Sequence, residues 1–418
     1  MKIPALVALV GLQLAYAEPN PEDRYVKLDV TRVSHPLADH YKRDIPDFEN
    51  ELVRRANQDF ADNIVNQKFY YSTTVGIGTP EQKVDLLLDT GSADTWVYTP
   101  QSRFQGPNNQ RPKSTFDPSK SSTWKSNNTQ YTIRYGIGDG TGQWGTDVFT
   151  IGSAKLKSLT IGAANTGSVS SGIIGIGRPQ AETTAKQGQY YENLPMKLKS
   201  EGLTHTAAYS LYLNSINSKS GTILFGAVDH SKYSGRLYAL PITHPKHLGV
   251  TLRSLRTDGV VRSEQLDRPT TAILDSGTSL TYFPGGTVDS LHTALNANPS
   301  FTIGQRYYCD CNVTEHLLLN FGPVSIKVPN YFFLWPIETV VNRAVASVAF
   351  PQNSCYIGIE SQQPGMDYIL LGDNFLRAFY TVYDITNEHI AIAQASFSNG
   401  DSKIEVIKDK IPGAVYSS

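Results

Sequence analysis

Two short stretches of this chain can do acid–base chemistry on a bound water. Leu86-Leu87-Leu88-Asp89-Thr90-Gly91-Ser92 recurs, 186 residues later, as Ala272-Ile273-Leu274-Asp275-Ser276-Gly277-Thr278. In each, an apolar strand delivers a carboxylate into a turn whose glycine permits a tight backbone and whose hydroxyls can hydrogen-bond that carboxylate. A lone Asp-x-Gly is an ordinary turn signal. Two copies in one chain mean more: if the halves pack about a pseudo-two-fold axis, Asp89 and Asp275 meet. Two carboxylates in contact cannot both ionise cheaply, so the pair shares a proton over a wide pH range. Such a pair can hold a water, one carboxyl acting as base and the other as acid.

The elements needed to position that pair are duplicated too. Ile173-Ile174-Gly175 and Leu370-Leu371-Gly372 are apolar pairs closing on Gly, 86 and 97 residues after their respective Asp. The same order in both halves implies two similar lobes produced by duplication rather than a solenoid. The boundary is expected between Tyr238 and His247, giving lobes over 56–240 and 241–418. Runs such as 68–77, 83–88, 130–135, 380–385 and 389–393 are β-rich and bounded by Gly, Pro, Asp or Asn. Helices are expected to be few and short, around 191–201, 288–296 and 373–378. Strands alternating with long helices, the mark of a parallel α/β sheet, are absent, so the chain reads as mostly β. Composition agrees, with 33 Gly, 23 Tyr and 16 Phe in 418 residues. With 37 Lys+Arg against 38 Asp+Glu there is no basic excess to hold a nucleic-acid backbone.

The first 17 residues, with Lys2, a short apolar run and Ala15-Tyr16-Ala17, read as a secretory signal peptide. The C-terminal residues 404–418 lack a hydrophobic tail, so no lipid anchor is expected. Residues 18–55 carry 7 Lys+Arg and 9 Asp+Glu, with dibasic pairs at Lys42-Arg43 and Arg54-Arg55. They read as a propeptide, with the mature chain starting near Ala56. A secreted, soluble monomer is expected. Asn127-Asn128-Thr129 and Asn312-Val313-Thr314 are glycosylation acceptors on that route. Three cysteines, Cys309, Cys311 and Cys355, give one disulfide and one odd thiol in an oxidising compartment.

At the two Asp motifs the chain resembles the pepsin-like aspartic proteases, and among them the fungal secreted enzymes. The resemblance runs from Phe69 to about Ser398. It implies a bilobal, mostly-β fold with a central cleft, and peptide-bond hydrolysis by a water held between Asp89 and Asp275, without metal or organic cofactor. Ser92 and Thr278 match the hydroxyls that bond the two carboxylates, Gly91 and Gly277 the glycines between. Thr90 and Ser276 match the pair that ties the two loops together. Tyr135, in Arg134-Tyr135-Gly136-Ile137-Gly138-Asp139, matches the tyrosine of a hairpin flap over the substrate, and Trp96 the tryptophan that bonds it. Cys311 and Cys355 match the second-lobe disulfide. The chain departs from many relatives in having no cysteine in 101–113, in the extra Cys309, and in Ile137 where an acid accepts lysine.

Rival readings are weaker. The Gly-rich run 136–142 leads into a β-pattern rather than a helix, so it is not a phosphate cradle. His244 and His247 read as surface histidines, without further ligands for a metal. Ser279 lacks a Gly-x-Ser-x-Gly elbow. An inactive binding protein on the same fold remains the alternative, disfavoured because both Asp and their hydroxyl partners stand. An ungapped alignment places Asp139 near the flap tip, where it either favours the turn or meets a basic substrate residue; Tyr135 and Ile137 favour large apolar residues beside the cut bond. Equal numbers of acids and bases in the mature body suggest a moderately acidic optimum, with inactivation at strongly acidic pH.

Overall fold

The computed structural model describes residues 24–34, 69–105, 112, 114–136, 138–218, 220–257, 266, 268–303, 306–340, 346, 350–397 and 401–417. The signal peptide, both dibasic pairs and Ile137 lie outside the described residues. The chain is mostly β and forms two lobes joined by one continuous sheet of 14 strands, with smaller sheets completing the second lobe.

The duplicated motifs form the same unit twice. Gln82–Asp89 runs parallel to Gly172–Gly175, with Leu86 opposite Gly172 and Asp89 opposite Gly175. Thr270–Leu274 runs parallel to Ile369–Leu371, with Ala272 opposite Ile369 and Leu274 opposite Leu371. Leu86, Leu88, Ile174, Leu274, Ile369 and Leu371 are buried in one continuous core. Strands buried on both faces explain why these segments read as unbroken apolar runs rather than alternating ones. Helices are short, as expected: Leu194–Ser200, Gly285–Ala294 and Asp373–Leu376 among them.

One strand comes from inside the expected propeptide. Val26–Ser34 lies in the middle of the large sheet, antiparallel to Ser220–Phe225 on one side and to Phe69–Ile77 on the other. Val26, Leu28 and Val30 are buried, while Lys27, Asp29 and Thr31 are exposed. That is the period-two pattern of a half-buried strand. Beyond Ser220–Phe225 the sheet continues through Ala208–Tyr212 into Phe379–Asp384 and His389–Ala395, so the two lobes share backbone hydrogen bonds.

Candidate active site

The two Asp loops lean on each other across the lobe boundary. Thr90 Oγ1 donates to the Leu274 carbonyl at 2.8 Å and accepts from the Ser276 amide at 2.9 Å. Reciprocally, Ser276 Oγ donates to the Leu88 carbonyl at 3.1 Å and accepts from the Thr90 amide at 3.2 Å. All four partners are buried, and buried backbone groups left unpaired would each be costly, so these bonds fix the spacing of the loops.

That spacing brings Asp89 and Asp275 together, each almost fully buried. Asp89 accepts from the Gly91 amide at 2.8 Å and from the Ser92 hydroxyl. Asp275 accepts from the Gly277 amide at 2.8 Å and the Thr278 hydroxyl at 2.6 Å. The glycines are needed for approach: a Cβ on Gly91 would lie 2.6 Å from an Asp275 oxygen, and one on Gly277 2.4 Å from an Asp89 oxygen. Burial pushes the Asp89 carboxyl well above the usual range, and the neighbouring Asp275 charge pushes it further; the bonds from Ser92 and Gly91 oppose the shift. Two carboxyls this close cannot both ionise cheaply.

Over the pair hangs the hairpin Lys125–Tyr135 and Gly138–Ile151. Trp96 donates its indole N–H to the Tyr135 hydroxyl at 2.8 Å, linking the hairpin to the segment that follows Asp89. A cavity of about 410 Å³ opens at the pair, walled by Leu87, Val169, Ile173, Ile273, Met366 and Leu370. A cleft with apolar walls, two carboxyls at its floor and a hairpin above suits a peptide.

Comparison with known proteins gives this geometry a family. The model of the eukaryotic aspartyl proteases matches residues 70–395. The chain belongs to that family. The protease is 34% identical over 425 residues to aspartic proteinase yapsin-3 of Saccharomyces cerevisiae, covering 96% of this chain and 78% of the relative. It is 32% identical over 364 residues to candidapepsin-3 of Candida albicans, covering 84% and 86%. Among solved structures, the aspartic proteinase of Irpex lacteus superposes with a TM-score of 0.65 at 25% identity, covering 82% of this chain and 98% of that one. The protease is therefore an aspartic-type endopeptidase acting on proteins or peptides. No helix among the described residues is long and apolar enough to cross a membrane.

Elsewhere the sequence reading of the protease needs amendment. In the hairpin Tyr135 pairs with Gly138 and Arg134 with Asp139, so the chain turns between Tyr135 and Gly138. Asp139 is therefore the second residue of the returning strand, one pair from the turn. Its carboxylate accepts from the Ser168 hydroxyl at 2.7 Å, and its amide donates to the same oxygen at 2.8 Å. His247 is not a surface residue. It is half-buried in the cleft, and its Nδ1–H donates to the Gly91 carbonyl at 3.0 Å. Arg178, itself buried, holds that loop by donating to the His244 carbonyl at 2.7 Å. Burial holds both histidines below their ordinary pKa, His244 at about 4. No pattern could have found His247, because its partner lies 156 residues away.

The first lobe of the protease also hides two acids. Asp94 accepts from the Tyr191 hydroxyl at 2.5 Å and from the Thr183 amide and hydroxyl at 2.9 and 2.6 Å. Glu182 accepts from the Tyr191 amide at 3.0 Å. Burial raises both, Glu182 to about 8. Asp373, Asp384 and Asp89 are likewise raised by burial, against downward shifts at Asp117 and Asp229. Acids raised on folding favour the folded state below their unfolded pKa and lose that advantage as pH rises. Stability should thus fall toward neutral pH, while Asp117 and Asp229, whose carboxyls are lowered, lose their contribution as pH falls through the strongly acid range.

In the second lobe Cys311 and Cys355 form the disulfide, with Cα atoms 5.0 Å apart. Cys309 is a buried free thiol whose pKa burial pushes to about 12. Asn127 and Asn312 are exposed.

Proposed function

We propose that Asp89 and Asp275 are the catalytic pair of a secreted acid endopeptidase made as a zymogen. The observation that supports this most directly is the matched environment of the two carboxyls: each takes one amide and one hydroxyl hydrogen bond from its own loop, and each blocks a side chain on the other loop's glycine. In that arrangement the carboxyls' free faces both look into the cleft. A water between them gives its proton to the ionised member and attacks the scissile carbonyl, while the protonated member donates to the carbonyl oxygen. The gem-diol then collapses: one of its hydroxyls returns its proton to the carboxylate that had protonated the carbonyl, the amine leaves with the proton the other carboxyl took from water, and the pair is left singly protonated for the next water.

Thr90 and Ser276 keep the loops in register for this cycle, and Gly91, Gly277, Ser92 and Thr278 hold the carboxyls. Tyr135, backed by Trp96, closes over the substrate together with Gly136 and the Ile137 that follows it in sequence. The apolar cavity walls favour large apolar residues beside the cut bond. Acid pH suits both the shared proton and the buried acids. Residues 1–17 act as the signal peptide, 18–55 as the propeptide, and 56–240 and 241–418 as the lobes, with glycans at Asn127 and Asn312 and a monomeric mature form. Three features support secretion: the leader, the sequons and a disulfide. Incubating the processed protein with peptides from about pH 3 to 7 tests the reading. Cleavage should peak on the acid side, stop with a statine-type inhibitor whose hydroxyl replaces the water, and persist in a chelator. Chelator-sensitive cleavage, or none, would defeat it.

A further inference from the structure

A second cavity, of about 720 Å³, adjoins the first and shares Gly91, Ser92, Arg134, Tyr135 and His247 with it. The two differ in charge. Apart from the shared Arg134 and His247, the charged residues of the first are the Asp pair. The second adds Lys186 from the first lobe and Lys246 from the second, both exposed. None of Arg134, Lys186 and Lys246 forms an ion pair with a described residue.

The acids lining this second cavity are Asp94 and Glu182, each only 2% exposed. Both Asp94 oxygens are engaged by Tyr191 and Thr183. Glu182 Oε1 has no hydrogen-bond partner but is sealed from solvent, so an entering ammonium or guanidinium cannot touch it. Burial raises both, Glu182 to about 8, and both are shielded from the cavity, which leaves the exposed lysines as the charges a substrate meets.

We propose that this cavity receives an acidic side chain of the substrate, so that the protease prefers Asp or Glu on one side of the cut bond and apolar residues on the other. The preference rests on the endopeptidase reading above and adds a charge rule to it. Lys186 and Lys246 stand on opposite lobes, so a carboxylate there is drawn from both walls. Asp139 lies opposite Arg134 in the hairpin, which makes the two lysines the main contributors.

The test uses peptides with apolar residues at the cut bond and a single Glu, Gln or Lys placed at the second or third position on either side. Assays run at mildly acid pH, where a Glu of ordinary pKa about 4.3 is ionised. We expect kcat/KM for Glu over Gln to be roughly three- to tenfold on one side only, as for exposed charge pairs, with Lys below Gln. The ratio should shrink near 1 M salt, where the screening length is about 3 Å. In Lys186→Gln/Lys246→Gln it should approach one, and in Lys186→Glu/Lys246→Glu it should invert. Each ratio is read within one enzyme preparation, so a general loss of activity in a variant does not imitate the effect. Equal rates for Glu and Gln at every position, equal gains on both sides, or a preference for Lys would each overturn the charge rule while leaving the endopeptidase reading intact. No cleavage of any peptide by the wild type would overturn the endopeptidase reading, and the charge rule with it.

Discussion

The two Asp loops can be superposed residue for residue, yet their surroundings diverge within a turn. Asp89, Thr90, Gly91 and Ser92 correspond to Asp275, Ser276, Gly277 and Thr278, with the same bonds in the same order. Five residues past each carboxyl the likeness ends: Asp94 stands where the second lobe has Leu280, and Trp96 where it has Tyr282. The first lobe anchors its loop with ionisable groups, Asp94 and Glu182 around Tyr191. The second adds neutral ones, Thr281 donating to Asn374 at 2.8 Å and Asn374 donating to the Gly358 carbonyl at 2.7 Å, beside a buried Asp373–Arg377 ion pair whose Asp373 amide donates to the Thr278 carbonyl at 2.7 Å. Trp96 carries the flap, whereas Tyr282 lines the cavity wall. What is duplicated is the delivery of a carboxylate. Closure over the substrate belongs to the first lobe, whereas acids raised by burial occur in both, Asp94 and Glu182 in the first and Asp373 and Asp384 in the second.

The largest effects should be equal in the two lobes. Asp89→Asn and Asp275→Asn are each expected to cut kcat/KM by at least about 10²–10⁴-fold, the usual worth of general acid–base catalysis, with circular dichroism unchanged. A well-folded variant of either that keeps a tenth of its activity would break the symmetry. Next come the cross-lobe bonds. Thr90→Val and Ser276→Ala each strip two buried hydrogen bonds and leave backbone groups unpaired, which should cost roughly 2–4 kcal/mol in denaturant unfolding. A loss confined to one of them would mean that only one direction of the exchange matters.

The remaining effects should be one-sided. Trp96→Phe removes the donor to Tyr135 and should lower kcat/KM by roughly two- to tenfold, one net hydrogen bond. Tyr282→Phe should do less, since Tyr282 lies in the wall of the cavity and outside the hairpin. The smallest effect is in stability. Glu182 is raised to about 8, so its contribution is full below its unfolded pKa and fades as pH rises toward 8. Glu182→Gln should therefore leave the melting temperature unchanged near pH 4 and raise it near neutrality. An equal shift at both pH values would point to altered packing instead of ionisation.

The duplicated motif made the fold and the carboxyl pair legible, because an apolar run ending in Asp-Thr-Gly or Asp-Ser-Gly is a local signal. Tyr135, Trp96 and the Cys311–Cys355 bridge followed from resemblance to a family. The misses are long-range. Asp94 meets Tyr191 97 residues on, through a bond that no spacing rule foresees. Asp139 lies near the turn, but its partner Ser168 is 29 residues away and equally invisible to a spacing rule. The strand Val26–Ser34 was hidden for a different reason. Counting charges over 18–55 emphasises Lys27, Asp29 and Arg32, while the alternation of Val26, Leu28 and Val30 that betrays the strand vanishes in a sum.

That strand changes what a single proteolytic cut can accomplish. Cleavage after Arg55 would leave Val26–Ser34 paired with Ser220–Phe225 and Phe69–Ile77 but no longer tied to them by the chain. A tethered segment becomes a ligand, and its departure passes from a local opening to a two-body equilibrium obeying mass action. Release should then be more complete on dilution and suppressed by adding the free 18–55 peptide. Gel filtration of the cut protein at two concentrations, with the small fragment followed by mass spectrometry, measures it directly. Co-elution in unchanged proportion at both would show that the strand stays as a permanent second chain.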